Sequence, residues 1–268
     1  MRRRAPTTTT RIHGEGKGIA VMCDNCGFPA LMHGKRIPRR EMLSLGAGLG
    51  AMLALPSHAL AKGKYKAPPK PQNVLTPEQA LERLQEGNKR YVEGVTKRHD
   101  FITERAALVD GQNPYAGILS CADSRIGPEF TFDSSRGDLF VVRVAGNFLN
   151  ADNLASFEYA VEVLKTPLLM VLGHDACGAV SSTISSIKNK TNLPGHLPSL
   201  VANLTPAVNA ASSLPGDLLE NATKENVRRN VEALKNATPL LSAAFNEKRL
   251  KVVGAIYRLK NGEVQLIA

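Results

Sequence analysis

Tryptophan is absent from the 268 residues, aromatics make up only 5% of them, and the four cysteines fall as one close pair and two distant singles. No second pair lies near Cys23-Asp24-Asn25-Cys26 to complete a zinc ribbon. No apolar run reaches the about 20 residues that a membrane-spanning helix needs, because the run at residues 42–55 is short and rich in small residues. Internal repeats and long low-complexity segments are also missing, which excludes a solenoid. A basic stripe interleaved with aromatics, the mark of single-strand nucleic-acid binding, is not present either. The net charge of +10 does not restore that reading: residues 1–61 and Lys62, Lys64, Lys66 and Lys70 hold all of it, and residues 71–268 are neutral overall. Binding of nucleic acid is therefore not expected.

What is present begins with an export pattern. Arg39-Arg40-Glu41 leads into the apolar run, and Ala59-Leu60-Ala61 follows as an A-x-A cleavage site. Paired arginines before a weakly hydrophobic, glycine-rich run resemble a twin-arginine signal, whose pathway carries folded proteins across. The expectation is a bacterial, exported, periplasmic protein with no stable membrane anchor after cleavage; a general secretory signal is the alternative. Because residues 1–31 are long for an n-region, translation from Met32 is expected. Gly46-Ala47-Gly48-Leu49-Gly50 lacks the preceding strand that a dinucleotide loop requires.

The pattern divides the chain into a leader (1–61), a Lys- and Pro-rich extended linker (62–72) and a folded domain (73–268). Thr76-Pro77-Glu78-Gln79 reads as a capped helix start, with a helix running to about Tyr91 and weakened at Gly87. Apolar runs at 115–120, 139–144 and 168–172, with a helical pattern at 156–165, predict an α/β fold: a mainly parallel central sheet flanked by helices, with an N-terminal helical arm. Residues 225–245 read as a helix interrupted near Pro239, and 251–257 and 263–267 as late strands.

Two apolar strands end in reactive residues. One runs into Cys121-Ala122-Asp123-Ser124-Arg125 and the other into His174-Asp175-Ala176-Cys177-Gly178. Sites in open parallel sheets form at the carboxyl ends of strands, so the two segments can converge. Zinc accepts two thiolates and an imidazole and, in catalytic sites, keeps its fourth position for water. A Cys121–Cys177 disulfide is the competing reading in an oxidising compartment. Asp123 can orient a metal-bound nucleophile, and Arg125 can hold that carboxylate in a bidentate fork. His99 and His196 are the candidate proton shuttles.

These motifs together resemble the paired signature of the β-class carbonic anhydrases, and the resemblance continues through residues 137–147 and Glu158-Tyr159-Ala160. It implies reversible hydration of carbon dioxide to bicarbonate and a proton by zinc-bound hydroxide, with one zinc per chain on Cys121, His174 and Cys177. It also implies an Asp123–Arg125 catalytic dyad, Gly146 and Gly178 at the substrate, and a homodimer or higher homo-oligomer. Two departures stand out. Without tryptophan, the Trp-containing bicarbonate pocket of some members cannot form, and Ser134 and Ser135 stand where many members place a glutamine. Rival readings are a carbon disulfide or carbonyl sulfide hydrolase built on the same site, and a zinc-stabilised non-catalytic module.

Overall fold

A computed structural model describes residues 68–268. The leader, Cys23 and Cys26, and the linker up to residue 67 lie outside the described residues.

The described chain opens with a 3₁₀ turn (Pro71–Asn73) and then alternates helices and strands. In order these are α1 (Pro77–Val92), α2 (Phe101–Ala107), β1 (Ala116–Ser120), α3 (Pro128–Thr131), β2 (Leu139–Arg143) and α4 (Ala151–Glu162). There follow β3 (Leu168–His174), α5 (Gly178–Asn189), α6 (Leu197–Ala211), α7 (Leu218–Lys235), α8 (Leu240–Asn246), β4 (Lys251–Tyr257) and β5 (Val264–Leu266). The sheet order is β2-β1-β3-β4-β5, parallel throughout except for the antiparallel β4–β5 pair. The α/β expectation is met.

Helix α1 starts where the sequence places it, with Thr76 and Gln79 closing a reciprocal capping box and Pro77 at the first turn. Its buried face, Ala80 and Leu84, packs with Tyr115, Ile118 and Met170 on one side of the sheet. Gly87 belongs to that face: a Cβ there would lie 2.0 Å from the Phe132 carbonyl oxygen, so the small residue permits backbone contact with the end of α3. The opposite side is covered by α4, α7 and α8 through Phe157, Val227, Val231 and Leu241, against Leu119, Leu169 and Ile256.

The chain is already packed at Lys70. Lys70 is buried; its Nζ donates to Asp138 Oδ1 and to the Arg136 carbonyl, both at 2.7 Å. A solvated linker has no reason to bury an ammonium, so the packed chain starts before Asn73.

Strand order also locates the site. From β1 the chain crosses to β2 on one side, then returns past β1 to β3 on the other. This reversal makes a crevice at the carboxyl ends of β1 and β3, the position at which open α/β sheets bind ligands. Among the described residues no helix is long and apolar enough to cross a membrane.

Candidate metal centre

Cys121 follows β1 directly, and the ladder continues past the strand ends through Val144 N–H to Ser120 O (3.1 Å) and Ala122 N–H to Val144 O (3.3 Å). Those bonds bring Gly146 over Cys121, where its amide donates to Sγ at 3.3 Å. Gly146 has φ +86°, and a Cβ on it would meet Leu204 at 2.8 Å, so both conformation and space call for glycine. Its carbonyl accepts from Asn226 Nδ2 on α7 at 2.8 Å.

His174 ends β3 and is fully buried. Its Nδ1 lies 2.8 Å from the Asp175 carbonyl, and a carbonyl can only accept, so the proton sits on Nδ1 and Nε2 keeps its lone pair. That Nε2 is buried without a hydrogen-bond partner, which is the condition of a nitrogen waiting for a cation. The chain then turns through Ala176 at φ +51° to place Cys177 at the N-cap of α5. The ligand atoms of Cys121, His174 and Cys177 lie within 4.8 Å of one another, and all three residues are buried. Both cysteines are free thiols, so the disulfide reading is not the arrangement found.

The electrostatics agree with a metal. Contact with Cys177 above all, and with His174, pulls the Cys121 pKa down against the opposing effect of burial. The same contact, together with burial, raises Cys177. Two adjacent buried thiolates repel, and a dication between them would remove that repulsion and suit a thiolate–imidazole donor set.

Asp123 stands beside the trio. Arg125 donates to it three times: Nε to Oδ1 at 2.9 Å, Nη2 to Oδ2 at 2.7 Å, and backbone N–H to Oδ1 at 2.9 Å. This fork holds the Asp123 carboxyl well below the usual carboxylate range. Oδ2 is also 3.9 Å from His174 Nε2, so the carboxylate borders the trio.

Gly178 lines a mainly apolar cavity of about 300 Å³ with Ala145, Leu197, Leu200 and Val201, and nothing lies within 4 Å of where its Cβ would be. The sequence candidates outside this crevice have other partners. His99 lies 3.7 Å from both Glu104 and Asp133 and stacks on Phe101, and His196 sits at the start of α6. Ser134 pairs with the Tyr115 hydroxyl, and Ser135 donates to Glu104.

Three contributors, Arg143, Asn226 and Asn230, are not marked by the sequence motifs. Arg143, at the end of β2, donates to the carbonyls of Cys121, Asp123 and Ile126. Asn226 and Asn230 sit one turn apart on α7 and are hydrogen-bonded to each other. The signal for the asparagines was available: two amides on an apolar stripe with Ala222, Val227 and Val231 must have buried partners.

Comparison with known proteins decides the family. Residues 116–264 match the carbonic anhydrase family model. Carbonic anhydrase 2 of Mycobacterium tuberculosis is 36% identical over 191 residues, covering 71% of this chain and 92% of the relative. The solved β-carbonic anhydrase CcaA is 31% identical with a TM-score of 0.54, covering 70% of this chain and 95% of that one. The chain belongs to the β-class carbonic anhydrases. It is thereby a lyase of a family of zinc enzymes. Carbonic anhydrase of Mycolicibacterium smegmatis is 35% identical over 191 residues, covering 71% of this chain and 93% of the relative. A tetrameric β-carbonic anhydrase of Sordaria macrospora shares the fold at 22% identity and a TM-score of 0.56, covering 71% of this chain and 95% of that one.

Proposed function

We propose that this carbonic anhydrase catalyses the reversible hydration of carbon dioxide to bicarbonate and a proton, using one zinc ion per chain and the Asp123–Arg125 dyad. The observation that carries the reading is the convergence of Cys121, His174 and Cys177 at the ends of adjacent parallel strands, with the unpartnered His174 Nε2 3.9 Å from Asp123. Zinc held there supplies a Lewis acid that brings the deprotonation of water towards neutral pH.

The chain's own residues do the rest. Asp123, kept charged by Arg125, can only accept hydrogen bonds. It therefore takes the proton-bearing hydrogen bond of the attacking water and leaves a lone pair free to meet carbon dioxide. Arg125 fixes that acceptor through a planar fork, which a single-point contact would not do. Gly178, next to Cys177, leaves open space for a small substrate, and the cavity it lines with Leu197, Leu200 and Val201 is apolar, which suits an uncharged one; Gly146 contributes its amide beside the Cys121 sulfur.

Two further parts of the reading are ours. Exposed Phe101, Ile102, Val109 and Phe130 support a homodimer or higher homo-oligomer, since such side chains are costly to leave in water. The Arg39-Arg40 pattern and Ala59-Leu60-Ala61 support export to the periplasm by the twin-arginine route, with the Lys-rich surplus in the leader and linker and no role in binding nucleic acid.

The test is stopped-flow carbon dioxide hydration by the zinc-quantified full chain and by Asp123→Ala. Misplacing or losing an orienting group costs on the order of 100-fold, and that is the loss expected in kcat at equal zinc content. Equal rates would remove Asp123 from the mechanism. Zinc-loaded wild type that is inactive even at alkaline pH would point instead to carbon disulfide or carbonyl sulfide, or to a non-catalytic module.

A further inference from the structure

The guanidinium of Arg143 is committed to the main chain of the loop that carries the dyad. Nε donates to the Cys121 carbonyl at 3.0 Å, and Nη2 donates to the carbonyls of Asp123 at 2.8 Å and Ile126 at 2.9 Å. These acceptors span the segment from the end of β1 to the turn before α3. The Cα of Arg143 is itself fixed, because it pairs in register with Ser120, the last residue of β1. One side chain thus ties a metal-ligand residue and the dyad loop to the neighbouring strand.

We infer that Arg143 is a positioning residue for the proposed reaction, setting the loop so that Asp123 faces the metal trio while Arg125 forks it. This rests on the hydration reading above. The Ser120 hydroxyl reaches Cys121 O at 3.3 Å and the Ile126 amide reaches Asp123 O at 3.1 Å, but both come from the loop or its own strand. Arg143 is the side-chain tie that enters from β2, beside the main-chain bond from Ala122 N–H to the Val144 carbonyl. Its planar fork presents donors at fixed angles to several oxygens, whereas a lysine ammonium on a flexible stem cannot reproduce that pattern. Shifts of about 1 Å in a positioned group can cost about 100-fold in rate, so loosening this loop acts on turnover more than on substrate affinity.

The experiment compares full-length wild type, Arg143→Met and Arg143→Lys, each with metal content measured. In zinc-loaded protein, Arg143→Met should lose about 10- to 100-fold in kcat with KM nearly unchanged, and Arg143→Lys should recover only part of the loss. In cobalt-substituted protein, the visible ligand-field and thiolate-to-cobalt bands of Arg143→Met should shift at full metal occupancy. Wild-type kcat and bands in Arg143→Met would overturn the inference. So would a rate loss that vanishes when normalised to bound metal, since that marks a merely structural role. If Arg143→Met fails to fold, Arg143→Lys decides alone: reduced kcat at full zinc supports the inference and an unchanged value overturns it. If wild type does not hydrate carbon dioxide, the hydration reading fails, and the cobalt spectra still decide whether Arg143 sets the geometry of the site.

Discussion

Asn226 holds the carbonyl of Gly146 by a 2.8 Å hydrogen bond, and the amide of that same glycine faces Cys121 Sγ. The middle of α7 therefore anchors, from its carbonyl side, the glycine whose amide donates to the Cys121 sulfur. Asn226→Ala leaves a buried carbonyl unpaired, an expected loss of about 1–3 kcal/mol in urea unfolding. Outer partners of metal ligands typically govern about 10- to 100-fold in metal affinity, and zinc competition with a chromophoric chelator should show a weakening in that range. Unchanged affinity alongside reduced stability would confine Asn226 to a packing role.

Gly87 sets helix propensity against packing. In an exposed helix interior, Gly→Ala gains about 1 kcal/mol. Here the new methyl would lie 2.0 Å from the Phe132 carbonyl oxygen, which cannot yield without moving α3. Gly87→Ala is expected to lower stability by about 1–3 kcal/mol, the cost of overpacking, and a rise in melting temperature would refute the contact.

The Glu220–Arg258 fork supplies a pH test. Arg258 donates to the two Glu220 oxygens at 3.0 and 2.9 Å, and Lys224 lies 2.9 Å from one of them. Arg258 above all, helped by Lys224 and opposed by burial, holds the Glu220 carboxyl below its ordinary value. A depressed folded pKa stabilises fully above the unfolded pKa of about 4.3 and is lost as pH falls through the folded value. Glu220→Gln should cost about 0.5–1 kcal/mol at neutral pH, and its unfolding curve should converge on wild type towards pH 3, as expected for a partly exposed pair. A difference that persists undiminished in acid would rule out the charge as its source.

Much of this was legible because strands buried on both faces leave apolar runs. β1, β3 and β4 read directly from 115–120, 168–172 and 251–257, and reactive residues following β1 and ending β3 pointed to one crevice. Helix starts were harder. α4 begins at Ala151 on an Asn150 cap and α7 at Leu218 on an Asp217 cap, earlier than the helical patterns at 156 and 225, and these side-chain caps mark the true starts. α5 opens on Gly178 without a side-chain cap, and α6 carries Pro206 in its interior, so neither offers the usual signals. Arg143 was unreadable for a different reason. Its partners are main-chain carbonyls, and their direction is a property of the fold, not of residue type.

Placing Cys177 at the N-cap of α5 has a mechanical consequence. Cys121 directly follows β1 and His174 ends β3, so both sit at the carboxyl edge of the sheet, whereas Cys177 stands at the N-cap of a helix. A bound ion then acts as a rivet between the sheet and the α5–α6 layer, closing a loop from residue 121 to residue 177 in the chain's own contour. Fraying at the start of α5 would move one ligand residue while leaving the two at the carboxyl edge of the sheet in place. Metal release is therefore expected to follow local opening of that helix end and not unfolding of the sheet.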